Sequence, residues 1–151
     1  MTQPSEHGHG AVFAAALVAL QADLPDITKS NLAEVEMKAG GVYTYTYADL
    51  AGITKQIRPV MAKHGFAFTA FPTLAEGKMA LVYSLIHSSG ERMTGEYPLS
   101  GSGSPQSMGS SITYARRYCL CAVVGLAPED DDDAAAAQAA AAANKGTAQR
   151  G

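Results

Sequence analysis

The sequence predicts an α+β fold: an N-terminal helix, an antiparallel sheet of a hairpin plus a three-stranded meander, and two amphipathic helices packed on it. Two periodicities carry this reading. Apolar residues recur every three or four positions in three stretches, as on one face of a helix, and alternate in others, as in half-buried strands. Turn-forming glycines separate the alternating stretches. The 151 residues suit one domain, and composition divides them into an N-terminal stretch over 1–10, a core over 11–128 and an acidic, alanine-rich tail over 129–151.

Residues 1–10, MTQPSEHGHG, are polar and glycine-rich and are expected to be disordered. From Ala11 to Leu24, Phe13, Leu17, Leu20 and Leu24 share one helical face, and Pro25 ends the helix. Glu34–Tyr47 alternates on either side of Gly40-Gly41 and reads as a hairpin, with Tyr43, Tyr45 and Tyr47 on one face. Ala48–His64 carries a helical stripe of Leu50, Ile53, Ile57 and Val60. Asp49 suits its first turn, Pro59 is expected to kink it and Gly65 to cap it. Strands at Phe66–Phe71, Met79–His87 and Glu91–Leu99, with turns over 72–78 and 88–90, complete the meander.

A glycine-serine loop, Ser100–Ser104, then leads into a helix from Pro105 to about Val124, with Ser104 placed to cap it. Met108, Ile112, Ala115, Cys119 and Ala122 fall within about 80° of arc and form the expected buried seam. Arg117 lies opposite that seam, flanked by Ser110 and Thr113, with Tyr114 further round the exposed side. Arg116 borders the seam.

The net charge of -3 comes from the tail, because residues 1–128 carry nine Lys/Arg against nine Asp/Glu, and Glu129–Asp133 adds five acids. A neutral core excludes nucleic-acid binding by bulk charge, so any such contact must use clustered cations. Cys119 and Cys121 diverge by about 200° on a helix and cannot bridge, which suits reduced thiols in a cytosolic protein. The apolar run Ala11–Leu20 is far short of the ~20 residues a membrane span needs. It also lacks a preceding basic residue, so neither a membrane nor a secretory signal is expected.

No nucleotide-hydrolysing loop is present, and Gly101–Gln106 fails the dinucleotide fingerprint at its last glycine. His64 and His87 have no nearby acid at a telling spacing, His7 and His9 lack further ligands, and Asp130–Asp133 lacks the alternation of a calcium loop. No catalytic residue, metal or cofactor is therefore expected. Binding chemistry remains. Ser104 opens a helix N-terminus that suits a phosphate, or is an ordinary capped connection. Tyr43 and Tyr45 offer stacking faces, or pack in the core. Arg116 and Arg117 reach two successive phosphates, or form solvated ion pairs. Lys55 and Arg58, with Lys63, make a second basic patch or a scattered solvated face.

Three stretches carry a family likeness: ALQADLP at 19–25, YTYADLAGITKQIRPVMAKHGF at 45–66, and SMGSSITYARRYCLCAVVGLAPEDDDD at 107–133. With LVYSLIHSSGERMTGEYPL between the last two, the sequence resembles the essential recombination function (ERF) family of phage single-strand DNA annealing proteins. The resemblance implies an ATP-independent protein of the bacterial host cytoplasm. It would bind single-stranded DNA, pair complementary strands during homologous recombination and assemble into rings or filaments. It further implies the core shared by ring-forming annealing proteins, and a phage exonuclease or single-strand binding protein as a partner. Thr113–Tyr118, TYARRY, is the family-like motif carried to DNA contact. The candidate DNA-binding residues are thus Arg116, Arg117, Tyr114, Thr113, Ser110, Ser104, Tyr43, Tyr45, Lys55 and Arg58. A structural oligomerisation protein without DNA contact is the alternative. A small enzyme acting on a phosphorylated ligand at Ser100–Ser104 is a third reading, for which no general base is visible.

The acidic run lies close in sequence to the arginines and is expected to compete with phosphates at low salt, within a Debye length of ~8 Å at physiological salt. Truncation after Pro128 should therefore tighten single-stranded DNA binding at low salt and leave high-salt binding unchanged. An anisotropy titration with labelled oligonucleotide measures both, and equal affinities at low salt would refute the competition.

Overall fold

Helix α1 (Ala11–Asp23) leads to strands β1 (Asn31–Glu36) and β2 (Val42–Tyr47) and helix α2 (Leu50–Lys63). Strands β3 (Phe66–Ala75), β4 (Lys78–His87) and β5 (Arg92–Pro98) follow, and helix α3 (Pro105–Val124) completes the order. The computed structural model describes residues 10–100 and 103–127. The expected disorder of the N-terminal stretch, His7 and His9, Gly101-Ser102 and the acidic and alanine-rich tail lie outside the described residues. The class is α+β, with the hairpin and the meander as separate antiparallel sheets, β1-β2 and β3-β4-β5.

Hairpin register follows from alternation. Asn31 faces Tyr47, Ala33 faces Tyr45 and Val35 faces Tyr43, which puts the three tyrosines on one face with these partners. The turn before β4 is shorter than the sequence suggests. β3 runs through Pro72 to Ala75, and only Glu76 and Gly77 form the turn, at φ +52° and +73°. Positive φ at both central residues is what a type I′ two-residue hairpin turn requires. Pro72 is tolerated because β3 is an edge strand, where one side of the backbone needs no partner.

The core lies where the helices meet the meander. α1 buries Phe13 and Leu20 from its expected stripe, while Leu17 and Leu24 pack half-buried against the same cluster. α2 buries Ile53, Ile57 and Met61, with Leu50 and Val60 at the margin, and continues through Pro59 to Lys63. Phe66 and Leu85 bring the sheet into this cluster, and the Phe13 ring meets Phe66 edge-on at 5.6 Å. Burial of His87 is made tolerable by two partners: Nδ1 lies 2.9 Å from Ser89 Oγ and Nε2 lies 3.1 Å from the His64 carbonyl.

Helix α3 departs from the single seam expected of it. Ala115 and Cys119 pack on Leu81 and Leu99 of the meander side, with Ile112 beside them. One turn on, Leu120, Cys121 and Val124 join the cluster made by α1 and α2, and Ala122 is exposed. At about 100° per residue these two buried faces lie on opposite sides of the helix, because α3 has the sheet on one side and helices on the other. Gly125, at φ +78°, ends it in the left-handed conformation that favours glycine. Both cysteines are buried and neither is in a disulfide, and burial pushes the Cys119 thiol up.

Ile57 is 1% exposed and packed from several elements, so the site cannot collapse around a smaller side chain. Ile57→Ala should cost about 2–5 kcal/mol in chemical denaturation, as large-to-small core changes do. A loss under 1 kcal/mol would mean that the helix layer is not packed as described.

Candidate nucleic-acid interface

The junction between β2 and α2 builds the site. Ala48 is buried, and Asp49 accepts the Gly52 N–H at 2.7 Å as the N-cap of α2. Its other carboxylate oxygen accepts from Asn31 Nδ2 of β1 at 2.9 Å. The Gly52 N–H, with Asn31 behind it, holds the Asp49 carboxyl below the usual carboxylate range. The Ala48 carbonyl accepts Arg117 Nη1 at 3.4 Å. Hairpin, α2 and α3 are thereby tied at one point.

Between them lies an open groove of about 690 Å³, lined by Tyr47, Asp49 and Leu50 on one side and by Gln106, Gly109, Ser110, Thr113, Tyr114 and Arg117 on the other. Of the residues singled out from sequence, this groove brings together Ser110, Thr113, Tyr114 and Arg117. Thr113 donates its hydroxyl back to the Gly109 carbonyl at 3.0 Å, as a helical threonine can, which fixes its rotamer. The Arg117 guanidinium lies 5.5 Å from the Tyr114 ring centroid. A second depression, which Tyr114 shares, is lined by Tyr97, Ser100, Ser110 and Ser111.

Aromatic rings continue the groove in both directions. On α3, Tyr114 and Tyr118 are 51% and 57% exposed and stack at 6.1 Å with 19° between planes. Tyr97 of β5 meets Tyr118 at 5.8 Å, and burial followed by its tyrosine neighbours pushes its phenol up. On the hairpin, Tyr43 stacks on Tyr45 at 6.1 Å and Tyr45 lies 5.9 Å from Tyr47. Expected core packing of this face does not occur. All three tyrosines are half-buried and lie outside both core clusters, because the hairpin forms its own sheet.

The two arginines part company. Arg117, expected to face solvent, is half-buried and anchored, since the second buried face of α3 lies on its side of the helix. Arg116 is exposed and borders a different depression, between α2, β3 and α3, whose rim it shares with Arg58. Leu50 lines both depressions. Lys55 lies exposed on α2, and Lys63 is committed to Asp23 at 2.9 Å. Ser104 caps α3 by accepting the Ser107 N–H at 3.1 Å. His64, given no acid by spacing, has Asp23 Oδ2 3.0 Å from Nε2, a pairing across forty-one residues of sequence. Lys63 and then His64 hold the Asp23 carboxyl low. Among the described residues no group of three metal-ligating side chains forms a metal site, and no helix is long and apolar enough to cross a membrane.

Tyr47, Tyr97 and Tyr118 are functional candidates that spacing alone did not select. Tyr47 shared its face with the two tyrosines that were chosen, and Tyr118 closes the TYARRY motif, so both had a signal. Tyr97 had none, since only the packing of β5 on α3 brings it there.

A family model described as the ERF superfamily matches residues 13–150. No curated protein and no solved structure matches the chain.

The Asp49 cap yields a pH-dependent test. A carboxyl held low in the fold contributes stability above its unfolded value and loses it as pH falls through the lowered folded value. Asp49→Ala should lower the thermal midpoint at pH 7, and the gap to wild type should close in strong acid. A gap independent of pH would show that the carboxylate is not what holds the junction.

Proposed function

As the chain belongs to the ERF superfamily, we propose that it binds single-stranded DNA along the groove between the hairpin and α3 and anneals complementary strands as a homo-oligomer in phage-type recombination. The observation that carries this reading is the convergence of Tyr47, Thr113, Tyr114 and Arg117 on one open groove, with the stacked Tyr114–Tyr118 pair exposed beside it. Sequence-independent single-strand binders combine a cation that tracks phosphates with aromatic faces on which bases stack. Here the groove supplies both.

A single strand laid in the groove places a phosphate at Arg117 and hydroxyl contacts at Ser110 and Thr113. Bases stack on Tyr114 and Tyr118, and Tyr45 and Tyr43 continue the path beyond Tyr47. Stacking uses the flat faces of bases and leaves their pairing edges free, which is what annealing needs. Arg117 is already oriented by the Ala48 carbonyl and the Tyr114 ring, so little side-chain freedom is lost on binding. The reading assigns no nucleotide hydrolysis and no catalytic step.

A core with balanced charge binds weakly through one groove, so affinity must come from repeating it. Linked sites raise avidity with no change in any one site. Assembly is therefore part of the function proposed, and Arg116, Arg58 and Lys55 fall outside the groove itself.

Anisotropy titrations with a labelled oligonucleotide, repeated across salt, test the reading. Binding should weaken with salt, and Arg117→Ala should lower the slope of log K against log salt by about 0.7 for each phosphate that the arginine neutralises. Tyr114→Ala should remove stacking of ~1–3 kcal/mol per base, roughly a fivefold to 150-fold weakening, with little change in slope. Absence of binding at low salt by the folded wild-type chain would overturn the proposal, and unchanged binding by both variants would move it to another surface.

A further inference from the structure

Two surfaces of this chain, meeting the groove only at Leu50, complement each other in polarity and charge. The first is the depression beside Arg116. Ala62 and Phe68 form apolar walls over a floor of buried Ile57 and Leu120, Arg58 and Arg116 stand at its rim, and its volume is about 280 Å³. Pockets that enclose small organic ligands begin near ~300 Å³ and bury most of the ligand, so a space of this size suits inserted side chains better.

The second surface is the outward face of the hairpin. By register Leu32 faces Thr46, Glu34 faces Thr44 and Glu36 faces Val42, which places these six residues opposite the tyrosines. Leu32 is 63% and Val42 59% exposed, and both glutamates are exposed. A two-stranded hairpin is marginal in water without a surface to pack on, and this one forms its own sheet with an uncovered aliphatic and acidic face. One surface is thus apolar and basic, the other apolar and acidic.

We propose that the hairpin face of one copy docks into the Arg58–Arg116 depression of the next, Leu32 and Val42 against its apolar walls and Glu34 and Glu36 against the two arginines. The surfaces differ, so the contact is head-to-tail. Repeated from copy to copy it closes into a ring where the rotation allows and otherwise grows a filament. The inference rests on the assembly proposed above and names its interface. On α3, Arg116 lies about 160° to 200° around the helix from Tyr114 and Tyr118, so docking there leaves the aromatic groove open.

Light scattering on the full chain, with and without an oligonucleotide, tests this through two charge-reversed variants, Arg58→Glu/Arg116→Glu and Glu34→Lys/Glu36→Lys. All four positions are exposed, and far-UV circular dichroism checks that each variant is folded. Each alone should fall from the wild-type multimer to the mass of a single chain or a short oligomer. Mixed in equal amounts they should reassemble, because each junction then joins either two native surfaces or two reversed ones. Multimers of wild-type size from both single variants would overturn this interface while leaving assembly standing. Dissociation without recovery on mixing would also overturn it. So would dissociation on truncation after Pro128, since the acidic tail would then be the occupant. A wild-type chain that stays monomeric with and without DNA would overturn both the interface and the assembly reading.

Discussion

The short link from β2 to α2 fixes what the rest of the molecule can do. Asp49 spends one carboxylate oxygen on the Gly52 N–H and the other on Asn31, while the Ala48 carbonyl takes the Arg117 guanidinium. An N-cap of this kind satisfies a backbone donor that the first turn of a helix leaves open. Here it also anchors the hairpin to α2 through Asn31. Without the anchor, the tyrosine face and α3 would have no fixed spacing, and the groove between them would have no defined width.

Helix α3 carries the second constraint. It contributes Ala115 and Cys119 to the sheet side of the core and Leu120, Cys121 and Val124 to the helix side. A helix held on two opposite faces keeps only its two flanks for other work, and those flanks differ. One presents Arg116 to the depression shared with Arg58, and the other presents Tyr114 and Tyr118, with Arg117 reaching both the Tyr114 ring and the Ala48 carbonyl. Neighbours in sequence thus serve different surfaces. Division of this kind lets a core of balanced charge place one cation among aromatic rings and two others at a separate depression.

Much of the fold was legible because local rules governed it. The stripes of α1 and α2, the tyrosine face of β2 and the Ser104 cap follow from periodicity and capping alone. What escaped depended on tertiary context. Pro72 looked like a turn residue, and only the edge position of β3 makes it a strand residue. Ala122 fitted a single seam and is exposed, because a one-face reading cannot foresee a helix buried on two sides. Asp23 and His64 were too distant in sequence to be paired by spacing. Of the TYARRY stretch, Thr113, Tyr114 and Arg117 line the groove, whereas Arg116 lines a different depression and Tyr47 and Tyr97 arrive from other elements.

The groove as the path of a single strand is the central claim, and photochemical crosslinking tests it most directly. An oligonucleotide carrying iodouracil, which couples to nearby aromatic side chains under ultraviolet light, would be bound at low salt, irradiated and digested for mass spectrometry. The account predicts adducts on Tyr47, Tyr114 and Tyr118, extending to Tyr45 and Tyr43 with longer strands. Adducts confined to rings outside the groove, such as exposed Phe71 on β3, would contradict it.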